Sequence, residues 1–325
     1  MPKGKFGLER LFETTRHSCL FLNDTSNGWY LGLNAKIDAL VSSAVAETTS
    51  EQVIYYGSSM GGYGALVTGL ARKDGDIHAF GPELRPGRPG FQSTAYGLSA
   101  DDTELFQFSC ISSPSPHAVH LYFGCFDAVD AANAVFAAED LSWANIHLLR
   151  SSHASHDHLY SLNIIRRIIR TFNRDPSAEL RSKSLIAGAA RDNLRRFGAL
   201  GEALSSGIDV DPTEIADLPD YPSNPGNPGN PGMMRLAAEA HAARGDTTSA
   251  LREMQAAQDM IQNDPVLMTL PKRWRKEFPL RRVHWLLGGG REDEARELLA
   301  ETCRQFPVDD TIRFLAMKLG LKLDG

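Results

Sequence analysis

The sequence has few cysteines, and no two of them are separated by only two residues. It therefore lacks the C-x-x-C spacing that marks many zinc sites and redox-active thiol pairs. Scattered thiols are typical of a reducing compartment, and the sequence predicts a cytoplasmic protein with no metal or other cofactor. These thiols belong to Cys19, Cys110, Cys125 and Cys303.

Long apolar runs and an excess of basic residues are also missing. No apolar stretch of 18 residues occurs, and the basic residues near the start, Lys3 and Lys5, are not followed by the apolar segment of a signal peptide. The formal net charge of -6 offers no electrostatic attraction for nucleic acid or for an anionic membrane. We therefore expect neither nucleic acid nor a membrane as a partner.

The first half of the chain alternates short apolar runs with helical patterns. These runs are continuously apolar, which favours a parallel sheet buried between helices over a sheet with one exposed face. The fold class predicted for this half is α/β, with a doubly wound and mostly parallel sheet. The predicted strands are residues 18–22, 51–56, 77–80, 118–124 and 145–150.

The second half of the chain begins with a different pattern. A threefold Asn-Pro-Gly run at residues 223–232 cannot hold a helix or a strand, because proline lacks a backbone donor and fixes φ, while glycine favours turns. We predict a linker there. The predicted organisation is an α/β domain at residues 1–175, a helical connector at 176–222, the linker at 223–232 and an all-α helical-repeat region at 233–325.

The helical region after the linker has two helix pairs with small residues at the expected contacts. Ala238, Ala250 and Ala257 stand where two antiparallel helices must pack closely, and Ala295 occupies the same place in the second pair. The pattern resembles the tetratricopeptide repeat, although its period is irregular. The alternative is a generic helical bundle.

One stretch, residues 53–66, combines an apolar strand, a tight turn and a helix of small residues. Its turn has the pattern Gly57-x-Ser59-x-Gly61, in which a serine lies on a strained strand-to-helix turn with its hydroxyl exposed. Glycine is expected on both sides, since side chains there would collide with neighbouring backbone. The pattern predicts Ser59 as a nucleophile. The alternative is a turn that holds a phosphate, although no Gly-Lys-Ser/Thr follows.

A serine nucleophile needs a base, and the base needs an orienting carboxylate. In a parallel sheet these groups come from loops at the carboxyl ends of later strands. Asp127 follows the fourth predicted strand, and His156 lies in a polar loop after the fifth. We predict a catalytic triad of Ser59, Asp127 and His156.

Both partners of Ser59 have alternatives close by. Asp130 is either the orienting acid or the N-cap of the next helix. His153 and His158 share the loop of His156, which is preferred because it lies nearest the start of the closing helix. A histidine cluster can also bind metal, but no H-E-x-x-H motif or nearby cysteine supports a metal site.

Together these motifs resemble the α/β-hydrolase family. The elbow Gly57-Ser58-Ser59-Met60-Gly61-Gly62 is similar to the family's G-x-S-M-G-G form, and the chain order serine, aspartate, histidine is the family's order. The resemblance covers residues 18–172. It implies acyl transfer to Ser59, with His156 as base and then acid and Asp127 holding its tautomer.

The oxyanion hole is where the sequence departs from this family. The resemblance implies that the backbone N–H of Met60, the residue after the nucleophile, is one donor. The second donor normally comes from a loop after an early strand, often with a His-Gly-Gly motif, and no such motif occurs here. Only one strand is predicted before the elbow strand. The loop at Asn23 is the candidate for the second donor.

Two classes of function follow. The resemblance implies a serine hydrolase of the esterase or thioesterase type, acting on a small-molecule or glycan ester, or an acyltransferase that modifies a sugar or polysaccharide. The competing hypothesis is a catalytically impaired, hydrolase-like interaction protein. In that case the helical repeats of residues 233–325 are the surface that binds a protein partner.

Overall fold

The structure, a computed structural model, describes residues 7–102, 105–111, 115–222 and 229–323. The chain divides into two compact units, Met1–Ser206 and Gly207–Gly325. Most of the predicted linker, residues 223–228, lies outside the described residues.

The first unit is built on a parallel β-sheet. Its three neighbouring strand pairs are all parallel, and the register sets Tyr56 beside His78 and Tyr122 beside His147. The predicted α/β class with a parallel sheet is confirmed. In the described part of the chain the sheet has four strands, in the order β1-β2-β3-β4: Val53–Ser58 (β1), Gly75–Phe80 (β2), Val119–Gly124 (β3) and Asn145–Leu149 (β4).

Helices connect and cover these strands. Two of them, α3 and α5, begin directly after β1 and β3, at the carboxyl edge of the sheet. The helices of the first unit are Glu9–Phe12 (α1), Asn34–Thr48 (α2), Met60–Arg72 (α3), Gln92–Ala95 (α4), Ala128–Asp140 (α5), Ser155–Ser161 (α6), Ile164–Ile169 (α7), Pro176–Arg181 (α8) and Arg191–Ser205 (α9).

The first predicted strand, residues 18–22, is not part of the sheet. These residues have no regular secondary structure, and Leu20 is 45% exposed. A short apolar run becomes a strand only where a neighbouring strand satisfies its backbone hydrogen bonds, and none does so here. From residue 7 onwards, no described strand precedes β1.

One face of the sheet forms the main apolar core with α2, α3 and α5. Leu66 and Leu70 of α3 pack with Tyr55, Ile77 and Leu121 of the first three strands. Burial of each such aliphatic side chain contributes roughly 1.5–3 kcal/mol. This core fixes the positions of α3 and α5, and therefore of the loops that precede them.

The opposite face carries a row of histidine rings. His78 stacks on His120 with ring centroids 4.8 Å apart, and His120 Nδ1 lies 3.1 Å from His147 Nε2. His78 and His147 are buried, and His78 Nδ1 lies 3.0 Å from the Tyr122 hydroxyl. Burial and the neighbouring His120 lower the pKa of both His78 and His147 to about 3. Both rings are therefore neutral at pH 7.

These neutral histidines are expected to make the first unit acid-sensitive. A histidine whose folded pKa is depressed contributes stability above its unfolded pKa, near 6.5, and loses that contribution as the pH falls towards the folded value. Between pH 7 and pH 5 we expect the free energy of unfolding to fall by roughly 1–2 kcal/mol for each of His78 and His147. Urea unfolding at several pH values measures this slope.

One double variant and one control variant test this assignment. A His78→Phe/His147→Phe double variant keeps two planar rings in the row and should flatten the dependence on pH, whereas His117→Gln, at an exposed position, should leave it unchanged. The same decline in the double variant as in the unmodified protein would contradict the assignment of this sensitivity to the histidine row.

The first unit extends further along the chain than the predicted α/β domain at 1–175. Helix α9 lies against α5 so closely that a Cβ on Gly198 would be 2.8 Å from the Ala132 Cβ, and one on Gly201 would be 2.4 Å from the Ala128 Cβ. Glycine permits this close approach. Helix α9, predicted as part of a connector at 176–222, thus belongs to the first unit.

In the described residues of the second unit, all regular secondary structure is helical. Pairs of consecutive helices are joined at Gly245 and Gly290, both with positive φ. The small residues predicted at the helix contacts are all fully buried: Ala238, Ala250, Ala257 and Ala295. Its helices are Pro212–Ala216 (α10), Pro231–Ala243 (α11), Thr247–Asn263 (α12), Lys272–Gly288 (α13), Glu292–Gln305 (α14) and Asp310–Lys318 (α15). The likeness to tetratricopeptide repeats stays a prediction. Among all described helices of the chain, none is both long and apolar enough to span a membrane.

Candidate active site

The centre of the candidate site is Ser59, the residue between β1 and α3. Its backbone has φ 54° and ψ −122°, a combination that non-glycine residues rarely adopt. The turn is held in place because the Ser59 N–H donates to the Phe80 carbonyl at the end of β2, 2.8 Å away. Strain of this kind costs on the order of 1–3 kcal/mol and persists where the surrounding structure enforces it. The predicted strained elbow is therefore present.

The two glycines of the elbow have different roles. A Cβ on Gly57 would lie 2.0 Å from the carbonyl oxygen of Gly61, so no side chain fits there. A Cβ on Gly61 would meet nothing within 4 Å. Glycine was expected to be required on both sides of Ser59, but it is required only at Gly57. There, a side chain would collide with the backbone of Gly61.

Alanine substitutions at these glycines are expected to change stability in opposite directions. Gly57→Ala forces backbone apart and should lower the free energy of unfolding by about 1–3 kcal/mol or more. Gly61→Ala adds a methyl group in open space within α3 and should raise it by roughly 0.5–1 kcal/mol, because alanine favours the helix. Urea titration of the full chain measures both, and equal effects of the two variants would refute this account of the elbow.

A histidine and an aspartate extend from the Ser59 hydroxyl in a continuous chain. The Ser59 Oγ lies 3.1 Å from His153 Nε2, and His153 Nδ1 lies 2.8 Å from Asp130 Oδ1. Asp130 is completely buried, and its second oxygen accepts the Gly124 N–H at 2.7 Å. The serine, aspartate and histidine come from the ends of β1, β3 and β4 and keep the predicted chain order.

The structure therefore differs from the preferred prediction for both partners of Ser59. Asp127 is the N-cap of α5, where its side chain accepts the N–H groups of Val129 and Asp130. Helix α5 begins at Ala128, so Asp130 lies on its first turn. The Asp130 carboxylate points back to the loop after β4, where it contacts His153. The acid beside the histidine is the alternative, Asp130.

The preferred histidine also lies elsewhere. Helix α6 begins at Ser155, so His156 is inside the helix, with its Nε2 2.7 Å from the Tyr56 hydroxyl and its ring packed edge-on against Phe80. His158 is buried and bonds to the Ser151 hydroxyl at 3.0 Å. His153 lies in the turn before the helix, and this turn brings its ring to Ser59.

Carboxylates set the charge of His153. Burial disfavours the charged imidazolium, but the charge and the hydrogen bond of Asp130, together with the charges of Asp127 and Glu83, outweigh burial and raise the pKa of His153 to about 9. At neutral pH the resting imidazole is protonated. The neutral form that a general base requires becomes the major form only above about pH 9.

Two further residues at this site were not predicted from the sequence. The Ser59 hydroxyl donates to Gln92 Oε1, 3.0 Å away. The backbone N–H groups of Gln92 and Ser93 donate in turn to the carboxylate of Glu83, which is 1% exposed. Glu83 comes just after β2, at the same edge of the sheet as the other groups, and that position is its only sequence signal. Gln92 lies in a turn-rich stretch without a readable pattern.

The predicted oxyanion donors have different surroundings. Met60 is the first residue of α3, where a backbone N–H has no acceptor within its own helix. Asn23 is half-buried and precedes Asp24, whose carboxylate accepts the N–H groups of Ser26, Gly28 and Tyr30. In the described part of the chain, Asn23 and Ser59 share no hydrogen bond.

Among the described residues, no group of three or more histidine, cysteine or acidic side chains is arranged to hold a metal ion. Comparison with protein-family models, with curated proteins and with solved structures gives no match.

Proposed function

We propose that the first unit is a serine hydrolase of the esterase or thioesterase type. In this proposal Ser59 is the nucleophile, His153 the base and Asp130 the residue that orients it. The observation that carries the proposal is the hydrogen-bonded chain from Ser59 through His153 to Asp130, on an elbow whose serine has a strained, positive φ. A turn that only connects a strand to a helix needs neither the strain nor the buried acid.

The reaction follows from the positions of these atoms. Ser59 Oγ attacks the carbonyl carbon of an ester, the carbonyl electron pair moves onto its oxygen, and the hydroxyl proton moves to neutral His153 Nε2. Asp130 holds the proton on Nδ1 and stabilises the imidazolium that forms. Collapse of the adduct expels the leaving alcohol or thiol, which takes the proton from Nε2. A water molecule then repeats the sequence and frees Ser59.

Transfer to a sugar or polysaccharide uses the same first half. It differs from hydrolysis only in whether an alcohol or water attacks the acyl group on Ser59. The impaired, hydrolase-like alternative is less well supported, because the serine, histidine and aspartate are in hydrogen-bonding order. That residues 233–325 bind a protein partner stays a prediction.

Labelling with a fluorophosphonate probe tests the proposal. The probe should label the full chain at Ser59, and Ser59→Ala should abolish labelling. Loss of the base should slow the reaction on the order of 10²–10⁴-fold, so His153→Gln should label far more slowly. His156→Gln, in the first turn of the adjacent helix α6, is the matched control: it keeps a polar partner for Tyr56 and should label at nearly the unmodified rate.

Two results would count against the proposal. Folded protein that takes up no label at any pH up to 10 has no activated Ser59. The second result is loss of labelling in His156→Gln but not in His153→Gln. It would make His156 the base and show that the described hydrogen bonds are not the catalytic ones.

A further inference from the structure

The segment after β2 returns to Ser59. After β2 ends at Phe80, the segment passes through the buried residues Glu83 and Leu84 and reaches Ser59 at Gln92, the first residue of α4. The Gln92 side chain then lies against the nucleophile, with Oε1 3.0 Å from Ser59 Oγ. The carboxamide is exposed, while its flanking residues Phe91 and Ser93 are buried and anchor it.

A buried acid holds this return in place. The Glu83 carboxylate accepts the Gln92 N–H at 2.6 Å and the Ser93 N–H at 3.1 Å. The next residue, Leu84, donates its N–H to Asn133 of α5 at 2.9 Å, and Ser93 Oγ accepts the Gly87 N–H at 2.7 Å. A buried carboxylate is costly unless it is hydrogen-bonded, and the bonds that Glu83 accepts tie the backbone of Gln92 and Ser93 to the segment that follows β2.

The elbow itself offers the backbone N–H of Met60, the first residue of α3, which has no acceptor within its own helix. Within the described residues, the Ser59 hydroxyl is bonded to Gln92 and shares no hydrogen bond with Asn23. From these contacts we infer that the carboxamide of Gln92, positioned by Glu83, is the second donor to the oxyanion. This inference rests on the proposed serine hydrolase function.

The proposed role requires the Gln92 carboxamide to change from a hydrogen-bond acceptor in the resting site to a donor during the reaction. In the resting site, where His153 is protonated, the Ser59 hydroxyl donates to Oε1 of Gln92. Once His153 is neutral, the hydroxyl turns to His153 Nε2, and its proton moves there as Ser59 Oγ bonds to the carbonyl carbon and negative charge develops on the former carbonyl oxygen. Oε1 then has no proton to accept. A half-turn of the terminal carboxamide, whose torsion has a broad and nearly two-fold profile, exchanges Oε1 for the donor Nε2. The donor then faces the new charge.

Steady-state hydrolysis of p-nitrophenyl acetate by the full chain tests this inference. Removal of one oxyanion donor typically lowers kcat by 10²–10³-fold, so Gln92→Ala should lower kcat by about that factor with little change in KM. Gln92→Glu keeps the shape, replaces the donor by an acceptor and should be slower still. Gln52→Ala is the matched control: this exposed glutamine precedes β1, at the opposite edge of the sheet, and the variant should keep full activity.

The positioning role of Glu83 needs its own readout. Glu83→Gln should lower kcat, because Gln92 is held less firmly. It should also shift the rise of kcat/KM to lower pH, because the charge of Glu83 is one of those that raise the pKa of His153. A variant that only disturbed the fold would lower activity without moving the pH dependence of kcat/KM. Unchanged kcat together with an unchanged pH profile would remove Glu83 from the role.

The results separate this inference from the function on which it rests. If hydrolysis by the unmodified chain does not depend on Ser59, both proposals are overturned. If hydrolysis depends on Ser59 but Gln92→Ala keeps kcat within about threefold of the unmodified protein, well short of the expected loss, the assignment of Gln92 is overturned and the hydrolase proposal stands. A loss confined to KM also overturns the assignment, since it indicates substrate contact in place of transition-state stabilisation.

Discussion

The candidate site depends on the buried carboxylate of Asp130. One oxygen lies 2.8 Å from His153 Nδ1 and the other accepts the Gly124 N–H, so a single side chain joins the end of β3 to the turn after β4. The approach of these two loops requires glycine, because a Cβ on Gly124 would lie 2.1 Å from the Ser152 carbonyl oxygen. A fully buried carboxylate is stable only with such partners. Without it, the His153 ring would lose the partner that orients it and the largest of the charges that raise its pKa.

The crowded backbone of the elbow is the second constraint on the site, after the Asp130 carboxylate. Gly57 and the Gly61 carbonyl meet with no room for a side chain, and the Ser59 N–H is fixed to the end of β2. Gly81, with φ 52°, follows β2, and a Cβ there would lie 3.1 Å from the His153 ring. Groups from four strand ends thus meet at one edge of the parallel sheet. Such an edge is where α/β sheets bind ligands, because the loops that follow the strands converge there.

Local patterns were sufficient to predict the parts of the fold that depend on local chemistry. The parallel sheet and the elbow with Ser59 follow from apolar runs and glycine spacing. The prediction of a strand at residues 18–22 was wrong, because strand formation depends on a partner strand elsewhere in the chain.

The partners of Ser59 depended on where two helices begin. Since α5 begins at Ala128 and α6 at Ser155, Asp127 becomes a cap and His156 an internal helix residue, while Asp130 and His153 face the serine. Helix boundaries are the part of a fold that sequence patterns predict least well, and the rival candidates in each pair are only three residues apart. Gln92 could not be predicted, because Glu83 and Asn133, which fix its loop, act across distant parts of the chain.

The hydrogen bond between His153 and Asp130 is the most direct test of this account. A proton shared between an imidazolium and a buried carboxylate is strongly deshielded and gives a proton NMR signal far downfield of the backbone amides. We expect such a signal from His153 at neutral pH, lost in Asp130→Asn and retained in Asp127→Asn. A spectrum of the folded protein without this signal, or one in which Asp127→Asn and not Asp130→Asn removes it, would contradict the account.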